Sequence, residues 1–167
     1  MDDWVVLATG PSMSQKLADS LKGRNAVVVS DAFRLAPWAY ALVSQDKAWW
    51  EANPDAMEFA GRKISTQNVE GVDKFRGTDW HQLISSGTNS GLVACCFAQA
   101  QGAKRIEMYG FDMHGTHYFG KHKEPLKNTT EQRFKVMIAQ FQRWRPPGIE
   151  VINMTPGSAI PFYPFGV

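Results

Sequence analysis

The sequence has little cysteine, no long apolar run and almost no net charge. Its two cysteines, Cys95 and Cys96, are neighbours in the chain, and neighbouring cysteines rarely bridge each other. The apolar runs, such as residues 4–8, are far too short to span a bilayer. A formal net charge of +2 leaves no clear footprint for nucleic acid. We therefore expect no membrane span, no disulfide scaffold, no coiled coil and no zinc module.

The N-terminal segment also lacks the basic stretch and apolar core of a signal peptide. Together with the unpaired cysteines, this predicts a cytoplasmic protein in which both thiols are small core residues. The chain does have the material for a core, since 44% of its 167 residues are hydrophobic. That length is typical of one domain.

Short apolar runs alternate with helical patterns along the chain. The first run, 4–8, is continuously apolar rather than alternating, which is typical of a strand buried on both faces of a parallel sheet. We predict strands over 4–8, 26–30, 40–44, 62–65, 105–109 and 150–153. We predict helices beginning at Ser12 or Ser14 and ending at Gly23, and over 47–53, 89–101 and 131–144.

This alternation predicts a single Rossmann-like, three-layer α/β domain over residues 1–167, with a mostly parallel sheet of about five or six strands. The stretch 71–87 reads as loop with short helical pieces. The apolar tail 161–165 is expected either to pack on the domain or to meet a partner.

Polar residues gather where the predicted strands end. Because ligands of open α/β sheets bind outside the carboxyl ends of the strands, this edge is the expected site. Turns and helix caps use the same residue types and could explain any one loop, but the whole set favours a ligand site. The candidate ligand-binding residues are Thr9, Gly10, Pro11, Ser12, Asp31, Gln45, Asp46, Asn89, Ser90 and Gly91, and the candidate catalytic residues are Asp112 and His117.

Two turns of small residues, 9–12 and 86–91, precede predicted helices. Such a turn can present backbone N–H groups to an anion, with the helix dipole behind them. Neither turn matches the Walker motif or the dinucleotide fingerprint. Two of them in one domain suit a nucleotide or another phosphorylated ligand, while helix capping explains either one alone.

The segment 112–122 carries Asp112 and three of the four histidines, His114, His117 and His122. A histidine near its ordinary pKa is a general base at neutral pH. The cluster also allows metal binding, although its spacing lacks the i, i+4 register of a helical metal site. Chance histidines on a solvated loop are the alternative.

The motifs taken together resemble two related groups of proteins. The segments that carry the resemblance are 5–13, 27–39, 44–50, 86–91, 103–113 and 117–122, so it covers most of the chain. One group is the bacterial CMP-sialic acid-dependent sialyltransferases, glycosyltransferase family 42. The other is the 6-hydroxymethylpterin diphosphokinase-like proteins. The chain most resembles small bacteriophage-encoded proteins with the same motifs. If it is phage-encoded, the predicted cytoplasmic location is the cytoplasm of the host.

The sialyltransferase resemblance implies that the nucleotide part of a donor is held by Gly10, Pro11, Ser12, Ser90 and Gly91. It implies a donor contact at Asp31, where the family has Asn. It also implies that His117, in the segment His-Tyr-Phe-Gly, is the general base toward an acceptor hydroxyl. No cofactor is required in that case, and the acceptor stays open.

The diphosphokinase resemblance implies instead that Asp31, Asp46 and Asp112 hold Mg²⁺ for transfer from ATP. A third hypothesis is a non-catalytic phage accessory or host-interaction protein, since a fold does not fix a function. The leading hypothesis is a small transferase that binds a nucleotide or nucleotide-sugar, with His117 as base. Whether it forms a homo-oligomer stays open.

Overall fold

A computed structural model describes residues 2–77 and 89–166. In these ranges seven strands form one sheet, and every neighbouring pair is parallel. The strand order is β5-β4-β3-β2-β1-β6-β7. This confirms the predicted α/β class with a parallel sheet. The strands are β1 (Asp3–Leu7), β2 (Asn25–Val29), β3 (Ala41–Val43), β4 (Arg62–Ser65), β5 (Asp73–Lys74), β6 (Arg105–Tyr109) and β7 (Glu150–Asn153).

The helices begin at side chains that accept a backbone N–H, as sequence capping rules anticipate. Ser14, Asp46, Asn89 and Thr130 are these N-caps. Ser14, not Ser12, therefore begins the first helix. The described α-helices are α1 (Gln15–Ser20), α2 (Lys47–Ala52), α3 (Ser90–Ala100) and α4 (Glu131–Arg143), and short 3₁₀ helices cover Ser30–Arg34 and Pro54–Glu58.

The sheet is covered on both faces, which gives the predicted three layers. Because side chains alternate along a strand, Val6 and Val27 lie in one apolar core while Val5 and Val28 lie in the other. The first core contains residues 92–98 of α3, including both cysteines, and the C-terminal part of α4. The second contains α1, α2 and the 3₁₀ helices. Strand interiors are therefore buried on both sides, as the continuous hydrophobicity of 4–8 predicted for the first strand.

The predicted number of strands and several predicted bounds need correction. β1 covers 3–7 rather than 4–8, β3 covers 41–43 rather than 40–44, and α1 ends at Ser20 rather than at Gly23. The sheet has seven strands rather than five or six, because β5 lies in the stretch 71–87 that was predicted as loop and helical pieces. Both β5 residues are exposed and polar, so no apolar run marks them, and pairing with β4 defines the strand. The predicted strand over 26–30 ends at Val29, where the chain turns into a 3₁₀ helix. The remainder of the stretch, 78–87, lies outside the described residues.

The C-terminal tail packs on the domain. The Tyr163 hydroxyl is buried and donates to the carbonyls of Phe141 and Trp144, at 2.6 and 3.0 Å. The tail also pairs with the end of β7 through Asn153, whose N–H donates to the Pro164 carbonyl at 2.8 Å. Both cysteines are free, and burial raises the pKa of the Cys96 thiol to about 12. Within the described ranges, no helix has the length and apolar character needed to cross a membrane.

Candidate functional site

A cleft of about 750 Å³ opens over the carboxyl ends of β1, β2, β3 and β6. Its position follows from the strand order, since the chain leaves β1 toward β2 on one side and adds β6 on the other. Such a switch point is where open α/β sheets bind ligands. Eight of the predicted residues line the cleft: Thr9, Gly10, Asp31, Asp46, Asn89, Ser90, Gly91 and His117.

The turn at 9–12 does not present the N–H groups that were expected to meet an anion. The N–H of Gly10 donates to the Gly110 carbonyl at 2.9 Å, and the N–H of Ser12 donates to the Asp112 carboxylate at 3.4 Å. Pro11 has no N–H, and α1 begins only after the Ser14 cap. Neither Pro11 nor Ser12 lines the cleft. The turn is braced against the chain that follows β6, and of its four residues only Thr9 and Gly10 line the cleft.

Asp112 is a brace for this turn and does not line the cleft. The residue is 4% exposed, and its Oδ1 accepts from the Ser12 hydroxyl at 2.7 Å. Gly10 is required by the same packing, because a Cβ there would lie 2.0 Å from Oδ1 of Asp112. Asp112 therefore supports the turn at 9–12 and does not face the ligand, whereas the sequence predicted it to be a catalytic residue.

The second predicted turn does reach the cleft, at the amino end of α3. Residues 86–88 lie outside the described ranges, but Asn89, Ser90 and Gly91 line the cleft. The N–H groups of Ser90 and Gly91 have no acceptor within the helix, because they belong to its first turn. This is the end at which the helix dipole favours negative charge.

Gln45 holds the amino end of α3 through hydrogen bonds and does not line the cleft. Its Oε1 accepts from the Asn89 N–H at 2.7 Å, and its own N–H donates to the Ser90 hydroxyl at 2.9 Å. Gly91 has a packing reason as well, since a Cβ there would lie 2.8 Å from the Phe111 ring. These residues fix the position of the helix end relative to β3.

The three carboxylates proposed for Mg²⁺ are not brought together. Asp31 accepts from the Trp49 indole at 2.8 Å and from Arg34 at 3.4 Å. Asp46 caps α2 through the Ala48 N–H at 3.0 Å, and Asp112 holds Ser12. Among residues 2–77 and 89–166, no group of three His, Cys, Asp or Glu side chains could hold a metal ion. The described residues therefore do not fit a shared Mg²⁺ site.

His117 lies in the cleft opposite these elements. Its Nδ1 is 2.8 Å from the Thr9 hydroxyl, and its ring stacks on Phe119 at 4.9 Å with an angle of 5° between the planes. The His122 ring is 4.4 Å away, centroid to centroid. Burial, followed by repulsion from His122, lowers the pKa of His117 from 6.5 to about 4. The imidazole is therefore neutral at physiological pH.

Sequence reasoning missed the cations of the cleft. Lys121 and Lys127 line it from the loop after β6, and Arg133 lines it from α4. A signal was present, because residues 121–135 contain five Lys or Arg and only two Glu. The cationic wall formed by Lys121, Lys127 and Arg133 is one side of the cleft, whereas the carboxylates Asp31 and Asp46 lie at the ends of β2 and β3.

Ser30 is a further residue of the cleft that sequence reasoning did not assign to the site. It lines the cleft with a left-handed φ of 45°, and its hydroxyl is 3.0 Å from that of Ser44. A residue other than glycine is strained in this backbone conformation, and such strain is concentrated at functional sites. No pattern in the sequence marks it, because the strain depends on the surrounding fold.

Comparison with known proteins does not assign the chain to a family. No family model, curated protein or solved structure matches the chain. The resemblance to sialyltransferases and to diphosphokinase-like proteins therefore stays a prediction based on the motifs alone.

Proposed function

We propose that this protein is a transferase that binds a nucleotide or nucleotide-sugar in the cleft and uses His117 as a general base. One observation carries the proposal: a neutral imidazole and the amino end of an 11-residue helix line the same cleft at the switch point of a parallel sheet. The volume of about 750 Å³ suits a ligand of this size.

The charges of the cleft support an anionic ligand. Ser90 and Gly91 supply N–H groups at the positive end of α3, and Lys121 and Lys127 supply formal charge on the loop wall. Neither lysine forms an ion pair with a carboxylate in the described part of the chain. A phosphate in the cleft would therefore gain from cations that no carboxylate of residues 2–77 and 89–166 neutralises.

In the proposed reaction, His117 accepts the proton of an acceptor hydroxyl as the hydroxyl oxygen attacks the donor. A new bond forms between that oxygen and the transferred group, and the bond from this group to the nucleotide phosphate breaks. The nucleotide leaves with the bonding electron pair, and the proton stays on the imidazolium. Positioning of the two substrates and the cationic wall would supply the remaining acceleration.

The first experiment is a thermal-shift screen of nucleotides and nucleotide-sugars, with Mg²⁺ and with a chelator. A ligand that binds the folded state raises the melting temperature. We expect stabilisation by at least one nucleotide, and we expect it to survive chelation. If no nucleotide shifts the melting temperature, the proposal is wrong. If every shift requires Mg²⁺, the phosphotransferase hypothesis replaces it.

Calorimetric titration of a Lys127→Ala variant then tests the cleft itself. Lys127 lines the cleft, whereas Lys104 is exposed just before β6, at the opposite edge of the sheet, and Lys104→Ala is a charge-matched control. We expect Lys127→Ala to weaken binding and Lys104→Ala to leave it unchanged. Equal affinities for both variants would place the ligand elsewhere.

His117→Ala tests catalysis, because loss of a positioned base costs about 10²- to 10⁴-fold in rate. Binding without turnover in the parent protein would favour the non-catalytic hypothesis. The cytoplasmic location is part of the same proposal, and the two buried free thiols support it.

A further inference from the structure

The end of β1 and the loop after β6 are fastened together at Thr9. The Thr9 carbonyl accepts the Tyr118 N–H at 2.8 Å, directly beside the contact between the Thr9 hydroxyl and His117. On the other side, the Tyr118 hydroxyl donates to the Asp31 carbonyl at 2.6 Å. The backbone that carries His117 is therefore attached to the ends of both β1 and β2.

The imidazole itself is held on several sides. The tight turn at 117–120 closes through reciprocal backbone hydrogen bonds between His117 and Gly120, at 3.1 and 2.9 Å. Phe119 covers one ring face, and His122 packs beside it. Nδ1 contacts the Thr9 hydroxyl, while Nε2 makes no hydrogen bond within residues 2–77 and 89–166. Nε2 is thus the ring nitrogen left for a ligand.

We propose that Thr9 is a positioning residue, whose hydroxyl accepts a hydrogen bond from Nδ1–H of His117 and so keeps Nε2 unprotonated toward the cleft. A neutral imidazole carries one proton, on Nδ1 or on Nε2. A hydroxyl alone would accept or donate, and so would permit either form. Within residues 2–77 and 89–166, Nε2 has no hydrogen-bond partner, whereas Nδ1 lies 2.8 Å from the Thr9 hydroxyl. A proton on Nε2 would be an unpaired donor on a half-buried ring, whereas a proton on Nδ1 is paired, and so we infer that Nδ1 is the donor.

The consequence for chemistry is direct. With the proton on Nδ1, the lone pair of Nε2 can accept the proton of a substrate hydroxyl. With the proton on Nε2, the same ring could only donate to the ligand. The group that selects the tautomer of a histidine therefore selects its chemical role. This catalytic meaning rests on the proposed function, whereas the tautomer itself does not.

Nitrogen NMR of the protein without ligand tests the tautomer. Long-range ¹H–¹⁵N correlation at pH 7 distinguishes the two forms, and a His117→Gln variant assigns the signals. We expect the Nδ1–H form in the parent protein and in Thr9→Ser, which keeps the hydroxyl. We expect Thr9→Val to lose this preference. The exposed His114, whose Nε2 contacts the Gly157 carbonyl, is the internal control and should not change.

An Nε2–H form in the parent protein would overturn the inference, and this result does not depend on whether Thr9→Val folds. An unchanged tautomer in a folded Thr9→Val would overturn it as well. Once a donor supports turnover, we expect Thr9→Val to lower kcat roughly tenfold or more with little change in KM, and Thr9→Ser to restore it. An Nδ1–H form without turnover would retain the positioning role and reject the transferase. Turnover with an Nε2–H form would retain a transferase but reject both the positioning role of Thr9 and His117 as the general base.

Discussion

The clearest structural prediction concerns Asp112, which sequence reasoning assigned to chemistry and the fold uses as a brace. Its carboxylate is buried and accepts two hydrogen bonds from Ser12, from the hydroxyl at 2.7 Å and from the backbone N–H at 3.4 Å. Both hydrogen bonds are accepted by Oδ1, so Asp112→Ala removes both of them and leaves a space beside Gly10. We expect the variant to fold with a lower free energy of unfolding.

The magnitude follows from the two bonds. A hydrogen bond to a charged group contributes about 1.5–3 kcal/mol, and the longer of these two bonds is the weaker. Ser12 is half-buried, so water can satisfy part of what it loses. We therefore expect Asp112→Ala to lower the free energy of unfolding by about 2 kcal/mol, and Ser12→Ala, which removes only the hydroxyl, to lower it by about 1 kcal/mol.

Urea unfolding, followed by tryptophan fluorescence and circular dichroism, measures these differences. Because Ser12→Ala removes a bond that Asp112→Ala has already removed, the double variant should show a coupling of about 1 kcal/mol. Asp46→Ala is the control: it removes a carboxylate that caps α2 and shares no partner with Ser12, so its effect should add to that of Ser12→Ala. A loss below about 0.5 kcal/mol in Asp112→Ala, or zero coupling, would refute the reasoning.

Three further predictions follow from packing and titration. The folded-state pKa of His117 lies near 4, below its ordinary 6.5, so the unfolded chain takes up a proton before the folded protein does as the pH falls. The resulting contribution to the free energy of unfolding is complete above about pH 6.5 and is lost by about pH 4, and it amounts to about 2 kcal/mol once partial exposure of the ring is allowed for. Urea titrations of His117→Gln should lack this pH-dependent loss. Gly91→Val forces a Cβ against Phe111 and should cost about 1–3 kcal/mol in thermal unfolding, so its effect on ligand binding cannot be separated from stability. Tyr163→Phe should cost about 1 kcal/mol and make the tail more sensitive to limited proteolysis, whereas equal cleavage would show that other contacts hold the tail.

The strands whose bounds were predicted best are β4, β6 and β7, which begin and end at the predicted residues. Glycines mark two of these ends, since Gly61 precedes β4 and Gly110 follows β6. In contrast, β5 has two exposed polar residues, and its pairing with β4 is not encoded in any local pattern. Periodicity reports which side chains are buried, so it cannot detect an edge strand that buries almost nothing.

The site was predicted as a set of neighbours but not as a set of contacts. The carboxyl ends of parallel strands must meet at one edge, so the common cleft followed from the order of the segments. What each group does there depends on residues far away in the chain. The N–H of Ser12 faces Asp112 across 100 positions, and the Thr9 hydroxyl faces His117 across 108. No local signal distinguishes a turn that binds an anion from a turn that binds its own protein.

The low pKa of His117 sets the final test of the proposed mechanism. A base with a pKa near 4 is fully neutral at pH 7 but has little driving force to hold a proton. An anionic ligand near the ring would stabilise the imidazolium and raise that pKa toward neutrality. The pH dependence of kcat reports the pKa in the complex with substrate, and NMR titration reports that of the free protein. We expect the first value to lie clearly above the second. Equal values would mean that no ligand charge comes near the ring, and the proposal that His117 acts beside a phosphate would fail.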